Sequence, residues 1–177
     1  MMKPRFLVLT GVVFLAALFR VLPHPYNFTP IAGMALFGGA HFSNKKLAFL
    51  VPLIAMILSD VVIGWHNQVL IVYACFMAIV GVGLWLRERR SAVPVLTAAL
   101  GSSVFFFLVT NFFVWILDGL YPMTVQGLVD CYAMAIPFLH NTIFGDLFYT
   151  TVFFGTFAVV ENRFLVLREQ PVPAVLK

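Results

Sequence analysis

The sequence predicts an all-α integral membrane protein of six transmembrane helices with both termini in the cytoplasm. Three observations carry that expectation. Of the 177 residues, 62% are hydrophobic and 10% charged, against roughly half and a quarter in an ordinary soluble domain. Mean hydropathy is +1.01. The apolar runs are also broken at intervals that leave stretches near the ~20 residues a helix needs to cross a hydrocarbon core of roughly 30 Å.

The elements follow in order. Residues 5–22 form a first run behind Lys3 and Arg5. A secretory leader would have the same opening, but Arg20 and Pro23 stand where its small-residue cleavage site should fall, so an uncleaved span is expected. Pro23 and Pro25 end that helix, and Pro30 can begin the next, because the first turn of a helix has spare amides. Between them His24, Tyr26, Asn27 and Thr29 make a polar hairpin, which is either an ordinary turn or one wall of a binding mouth.

A second run, 29–42, is short for a crossing and is expected either inside the bundle or extended by the non-helical segment before it, with Ala35 and Gly39 at small-xxx-small spacing. Further spans are expected at 46–64, 68–86, 93–117 and 141–160. Residues 118–140 are apolar but cut by Pro122, Gly127 and Pro137, and are expected as a partly helical lid. The chain is one domain.

Charge supports this map. With the N-terminus in the cytoplasm, one side collects Lys3, Arg5, Lys45, Lys46, Arg87, Arg89, Arg90, Arg163, Arg168 and Lys177, and the other only Arg20. That is a positive-inside pattern. It also accounts for the basic balance without nucleic acid; the polyanion these residues face is the lipid bilayer. All three glutamates, Glu88, Glu161 and Glu169, fall on the cytoplasmic side, with His41. The opposite side holds Asp60, Asp118, Asp130, Asp146, His24, His66 and His140, with Asn27, Asn67, Asn111 and Asn141 at or near the helix ends. A functional site is therefore expected at the outer mouth.

Ionisable groups at membrane depth are costly and face a partner or a wet cavity. Asp60 and Asp146 are such groups, and Arg20 is the natural partner for either. Asn111 needs partners for its amide. Cys75 is either a small packing residue or a soft metal ligand, and Tyr73 precedes it by two positions. Cys131 is either a loop thiol or a disulfide partner in an oxidising periplasm, with a bridge to Cys75 disfavoured by depth. No HExxH, GxSxG, GxGxxG or P-loop pattern occurs, so the common protease, hydrolase and nucleotide-binding signatures are missing.

The segments "FRVLPHPYNFTPIAGMALFGGAHF", "LSDVVIGW", "VTNFFVW" and "YPMTVQGLVDCYAMAIPFLHNTIFGDLFYT" resemble a family of small bacterial membrane proteins that are similar to the substrate-binding S components of energy-coupling-factor vitamin transporters. The resemblance covers nearly the whole chain. It implies an S-component-like bundle in the bacterial inner membrane that takes a vitamin-type micronutrient from outside. The solitary cobalamin transporter type is similar in size and works without an ATPase module. That likeness implies cobalamin (vitamin B12) as first ligand, with Cys75 on cobalt and His24, Asp60 and Tyr73 around the corrin. Tyr26, Asn27, Asn111 and Asp146 complete the expected binding set. The first helix lacks the Ala-xxx-Ala pattern by which S components dock on an energising partner, which leaves recruitment of an ATPase module open. No catalytic residue is expected beyond a slow decyanation of cyanocobalamin. Two other readings stay open: a structural or assembly-partner membrane protein, and an intramembrane enzyme built on Cys75, His140 and Asp146.

Overall fold

A computed structural model describes residues 4–168; Lys3, Glu169 and Lys177, placed above by charge, lie outside them. Among the described residues the chain is all-helical: α1 (Pro4–Val21), α2 (Ile31–His41), α3 (Lys45–Ile63), α4 (Val69–Trp85), α5 (Ala92–Leu117) and α6 (Val125–Arg163). Two short 3₁₀ turns, Leu86–Glu88 and Leu165–Leu167, complete it. Five helices are long and apolar enough to cross a membrane; α2 is the shorter apolar helix. The chain is a helical membrane protein.

The short second run does sit inside the bundle. Every residue from Ala32 to His41 is buried, and α2 packs against each of the other five helices. Its glycines permit this. A Cβ on Gly39 would lie 2.3 Å from the carbonyl oxygen of Val80 and 2.7 Å from the Cα of Gly83, so α2 and α4 meet backbone to backbone. Gly38 lies against the Pro52 ring of α3, and Gly33 against the Tyr149–Thr150 backbone of α6. In hydrocarbon no hydrophobic force draws helices together, so close approach through small residues supplies the packing.

Each of the other helices buries one stripe. In α3 it is Ala48, Val51, Pro52, Ala55, Met56, Ser59 and Asp60, the three-and-four spacing of a single helical face. In α1 the stripe is Arg5, Leu9, Val13, Ala16, Ala17 and Arg20, with an arginine at each end. The remaining faces are apolar and exposed, including Leu15, Leu18, Val61 and Val62, as lipid contact requires.

Side-chain bonds fix the two ends of the bundle. At the terminal end Arg5 pairs with Glu161 and donates to the Leu167 carbonyl. There Arg87 donates to the carbonyls of Gly39 (3.2 Å) and Ser43 (3.3 Å), and to that of Phe42. These are groups at the C-terminus of α2, where orphan carbonyls and the helix dipole favour a cation. At the first-loop end Asn141 donates to the Tyr26 carbonyl (2.9 Å) and Gln68 to Asp118 (3.1 Å).

One expectation needs correction. Residues 118–140 are not a separate lid: they are helical from Val125 and continuous with the last helix, with Pro137 inside it. Thr124 caps the start, accepting from the Gly127 amide. Proline removes one ladder bond but leaves a helix intact where neighbours support it. Here Cys131 and Tyr132 bond the α5 carbonyls of Asn111 and Leu108. At 39 residues and ~1.5 Å per residue α6 is about 58 Å long, nearly twice the hydrocarbon thickness. Its two halves have different neighbours: 125–135 lies on α5, whereas Gly33, in α2, and Phe28 approach the half beyond Asn141.

Candidate functional site

Two carboxylates lie deep in the half of the bundle nearer the first loop, Asp60 at 1% exposure and Asp146 at 3%. Their surroundings differ. Asp60, on the buried stripe of α3, pairs with Arg20 of α1 at 2.7 Å and accepts the Tyr73 hydroxyl of α4, also at 2.7 Å. Arg20 further donates to Ser59 and to the Met56 carbonyl (3.4 Å). One guanidinium thus ties α1 to the end of α3, and a phenol ties α4 to the same carboxylate. Arg20 pairs with Asp60 and not with Asp146, which resolves the choice the sequence left open.

Asp146 sits on the buried stripe of α6 between Thr142 and Thr150. Among the described residues it has no cationic partner. It accepts the Ser103 hydroxyl of α5 at 2.6 Å and lies beside the backbone amide of Ala32. Ala32 is the second residue of α2, so its amide is one of the four that a helix N-terminus leaves without an internal partner. A carboxylate there is held by hydrogen bonding and by the dipole of α2. Polar side chains from other elements therefore meet both ends of the central helix: Asp146 lies beside its first turn, and Arg87 donates to the carbonyls at its end.

A cavity of about 80 Å³ opens beside Asp146. Its wall comprises Asn27 and Thr29 of the first loop, Ile31 and Ala32 of α2, Ile79 of α4, Phe106 of α5, and Thr142 and Asp146 of α6. The loop reaches it because Gly145 has no side chain: a Cβ there would meet the Phe28 Cα at 3.1 Å. Asn27 adopts a left-handed φ of 62° in a turn closed by the Phe28 amide on the Pro25 carbonyl. Asparagine tolerates that conformation better than most residues. The polar groups converging on the cavity can hold a ligand that donates hydrogen bonds, an ammonium being the strongest match to a buried carboxylate.

The expected site residues divide accordingly. Asn27 and Asp146 line the cavity. Asp60 and Tyr73 belong to the Arg20 cluster and are absent from its wall. His24 is exposed, its ring bonded to the Leu22 carbonyl (2.6 Å). Tyr26 is exposed and packs edge-on against Phe138. Asn111 satisfies its amide on its own helix, donating to the Phe107 carbonyl (2.8 Å). Cys75 is buried in α4, one turn from Ile79 and outside the cavity wall; it and Cys131 are both free thiols. His140 is exposed and also absent from the wall. Among the described residues no group of three or more His, Cys, Asp or Glu could hold a metal ion.

Sequence reasoning placed Thr29 in the hairpin wall but missed Ser103, Thr142, Ile79 and Phe106. A signal existed for two of them. Ser103 and Thr142 fall on the small-residue stripes of α5 and α6, and such stripes mark the interior face of a membrane helix.

Comparison with protein families supplies one match, to a model described as a family of unknown function (DUF6580), over residues 1–172. This chain belongs to DUF6580. The match takes in every helix and both buried carboxylates, so the DUF6580 model spans the whole bundle and not one segment of it. No curated protein and no solved structure matches the chain.

Proposed function

We propose that this chain binds a small solute in the Asp146 cavity and serves its uptake across a bacterial inner membrane, six helices spanning the bilayer with both termini in the cytoplasm. The observation that carries the reading is a buried carboxylate, uncompensated by a cation among the described residues, on the wall of a cavity with Asn27, Thr29 and Thr142. Burying a charge without a counter-ion is expensive, and a donor-bearing ligand offsets that cost. Lys45, Lys46, Arg87, Arg89, Arg90, Arg163 and Arg168 mark the opposite end as cytoplasmic by the positive-inside rule, so the cavity opens outward.

Cobalamin, the ligand implied by the S-component likeness, requires a larger opening. A cavity of about 80 Å³ is well below the ~300–1,000 Å³ of drug-sized ligand pockets. Cobalamin would need the loop at Phe28 lifted off Gly145, and cobalt ligation would need Cys75, buried one turn from Ile79, to come within reach. Protein purified from cells fed cobalamin should then carry its visible absorption, and Cys75→Ser should lose it. A colourless wild type that still retains another small molecule in native mass spectrometry would remove cobalamin and keep the site. Loss of that molecule in Asp146→Ala is the general test; a wild type that carries nothing from its own host membrane counts against uptake.

A structural or assembly role is the second reading. It is favoured by both carboxylates already having hydrogen-bond partners within the chain. On that reading Asp146→Asn and Asp60→Asn lower folded yield alike, with no bound molecule to lose.

A further inference from the structure

The wall of the Asp146 cavity is graded from a closed end to an open one. Asp146 is 3% exposed and Thr142 8%, whereas Asn27 is exposed and Thr29 half-buried. The rest of the wall, Ile31, Ala32, Ile79 and Phe106, is apolar.

Hydrogen-bond accounting separates the two ends. At the closed end the Ser103 hydroxyl is spent on Asp146 Oδ2 (2.6 Å) and the Thr142 hydroxyl on the Phe138 carbonyl (2.9 Å). What remains there for a ligand is Asp146 Oδ1 and the lone pairs of Thr142. Oδ1 is bonded by no side chain among the described residues, and it is not enclosed as the orphaned hydroxyls of Thr10, Ser102 and Thr150 are. A head with at least two N–H donors satisfies both acceptors, and a primary ammonium does so with charge opposite to a carboxylate. At the open end the Asn27 carboxamide and the Thr29 hydroxyl each donate and accept, which is the capacity of a hydroxyl. No cationic residue is in the wall, so an anionic group on the ligand would meet no counter-charge.

Volume limits the spacer. A cavity of ~150 Å³ takes one benzene, roughly 25 Å³ for each of its carbons. The cavity of about 80 Å³ therefore encloses roughly three non-hydrogen atoms on that scale, a nitrogen and two carbons.

Resting on the uptake reading above, we propose that the ligand is a compact primary amino alcohol. Its ammonium bonds Asp146 and Thr142, its short carbon spacer lies against the apolar wall, and its hydroxyl meets Asn27 and Thr29 at the mouth. Those two residues of the first loop set specificity. A quaternary ammonium is rejected because it has no N–H and needs more room, and an amino acid because its carboxylate is left unpaired.

The test uses the full chain in nanodiscs, with 2-hydroxyethylammonium, ethylammonium, choline and glycine as probes and affinity read by calorimetry. The hydroxyl should make 2-hydroxyethylammonium about fivefold tighter than ethylammonium, the worth of one neutral hydrogen bond. Choline and glycine should not bind, and Asp146→Asn should abolish binding of both primary amines. Asn27→Gly keeps the left-handed φ of 62°, which glycine adopts freely, so the turn is retained. It should erase the advantage of 2-hydroxyethylammonium over ethylammonium, and Thr29→Val should reduce it. A general loss of folding would weaken both amines alike and leave their ratio unchanged. Choline or glycine binding as tightly as 2-hydroxyethylammonium, or a ratio that neither loop variant moves, overturns the amino alcohol; the cavity reading stands if Asp146→Asn still abolishes binding. If no amine binds while native mass spectrometry finds another solute that depends on Asp146, the ligand class is wrong and the site remains. If nothing binds through Asp146, both fall.

Discussion

Asp60 and Asp146 are equally hidden, on equivalent interior stripes of α3 and α6, yet the protein treats them differently. Asp60 is met by a guanidinium and a phenol that converge from two other helices. Asp146 receives a hydroxyl, lies beside the first turn of α2 and borders empty space. A carboxylate saturated by its own chain has nothing left to offer a ligand and acts as a tie between helices. A carboxyl held only by neutral donors, beside a cavity, has hydrogen-bonding capacity left for an incoming group. Burial alone does not distinguish a brace from a site; the neighbours do.

The sharpest way to break the contrast is to remove one member of the charged tie. Asp60→Ala strands Arg20 in the interior and should cost ~3–5 kcal/mol, read as a lower folded fraction and midpoint in detergent. Arg20→Met combined with Asp60→Leu should recover most of that loss, because an apolar pair needs no mutual neutralisation. Loss unrelieved in the double variant would show that the charges are needed for more than bracing. Gly39→Val drives a side chain into the α4 backbone and should cost ~1–3 kcal/mol, disturbing both regions through the helix they share. Tyr73→Phe leaves the ion pair intact and removes one bond to a charged acceptor, ~1.5–3 kcal/mol at most. Asp146→Asn keeps an acceptor for Ser103 and should move stability by about 1 kcal/mol or less while eliminating ligand binding. Equal destabilisation by Asp146→Asn and Asp60→Ala would erase the distinction between them.

Part of this was legible in the chain. Proline pairs and polar breaks placed five helices to within a few residues, and the apolar composition excluded a soluble fold. The short 29–42 run, with its glycines, pointed to an interior helix, and α2 is one. The break at 118–140 was misread because Pro122, Gly127 and Pro137 carry the same local meaning in a lid and in a long helix. Whether a proline ends a helix depends on the packing around it, and here Cys131 and Tyr132, just before Pro137, bond carbonyls of α5. Asn111 likewise looked in need of a distant partner, and its own helix supplies one.

By itself the sequence determined the solvent, the approximate helix boundaries and the sorting of basic residues to one end. Each of these depends on local composition and on the length of chain that crosses a fixed thickness of hydrocarbon. Tertiary packing alone decided which carboxylate Arg20 would meet, and that Asp146 would lie beside the first turn of α2 on the wall of a cavity. The rotations that set which side chains of separate helices meet follow from close contacts such as Gly39 on Gly83, and no single segment contains both halves of such a contact.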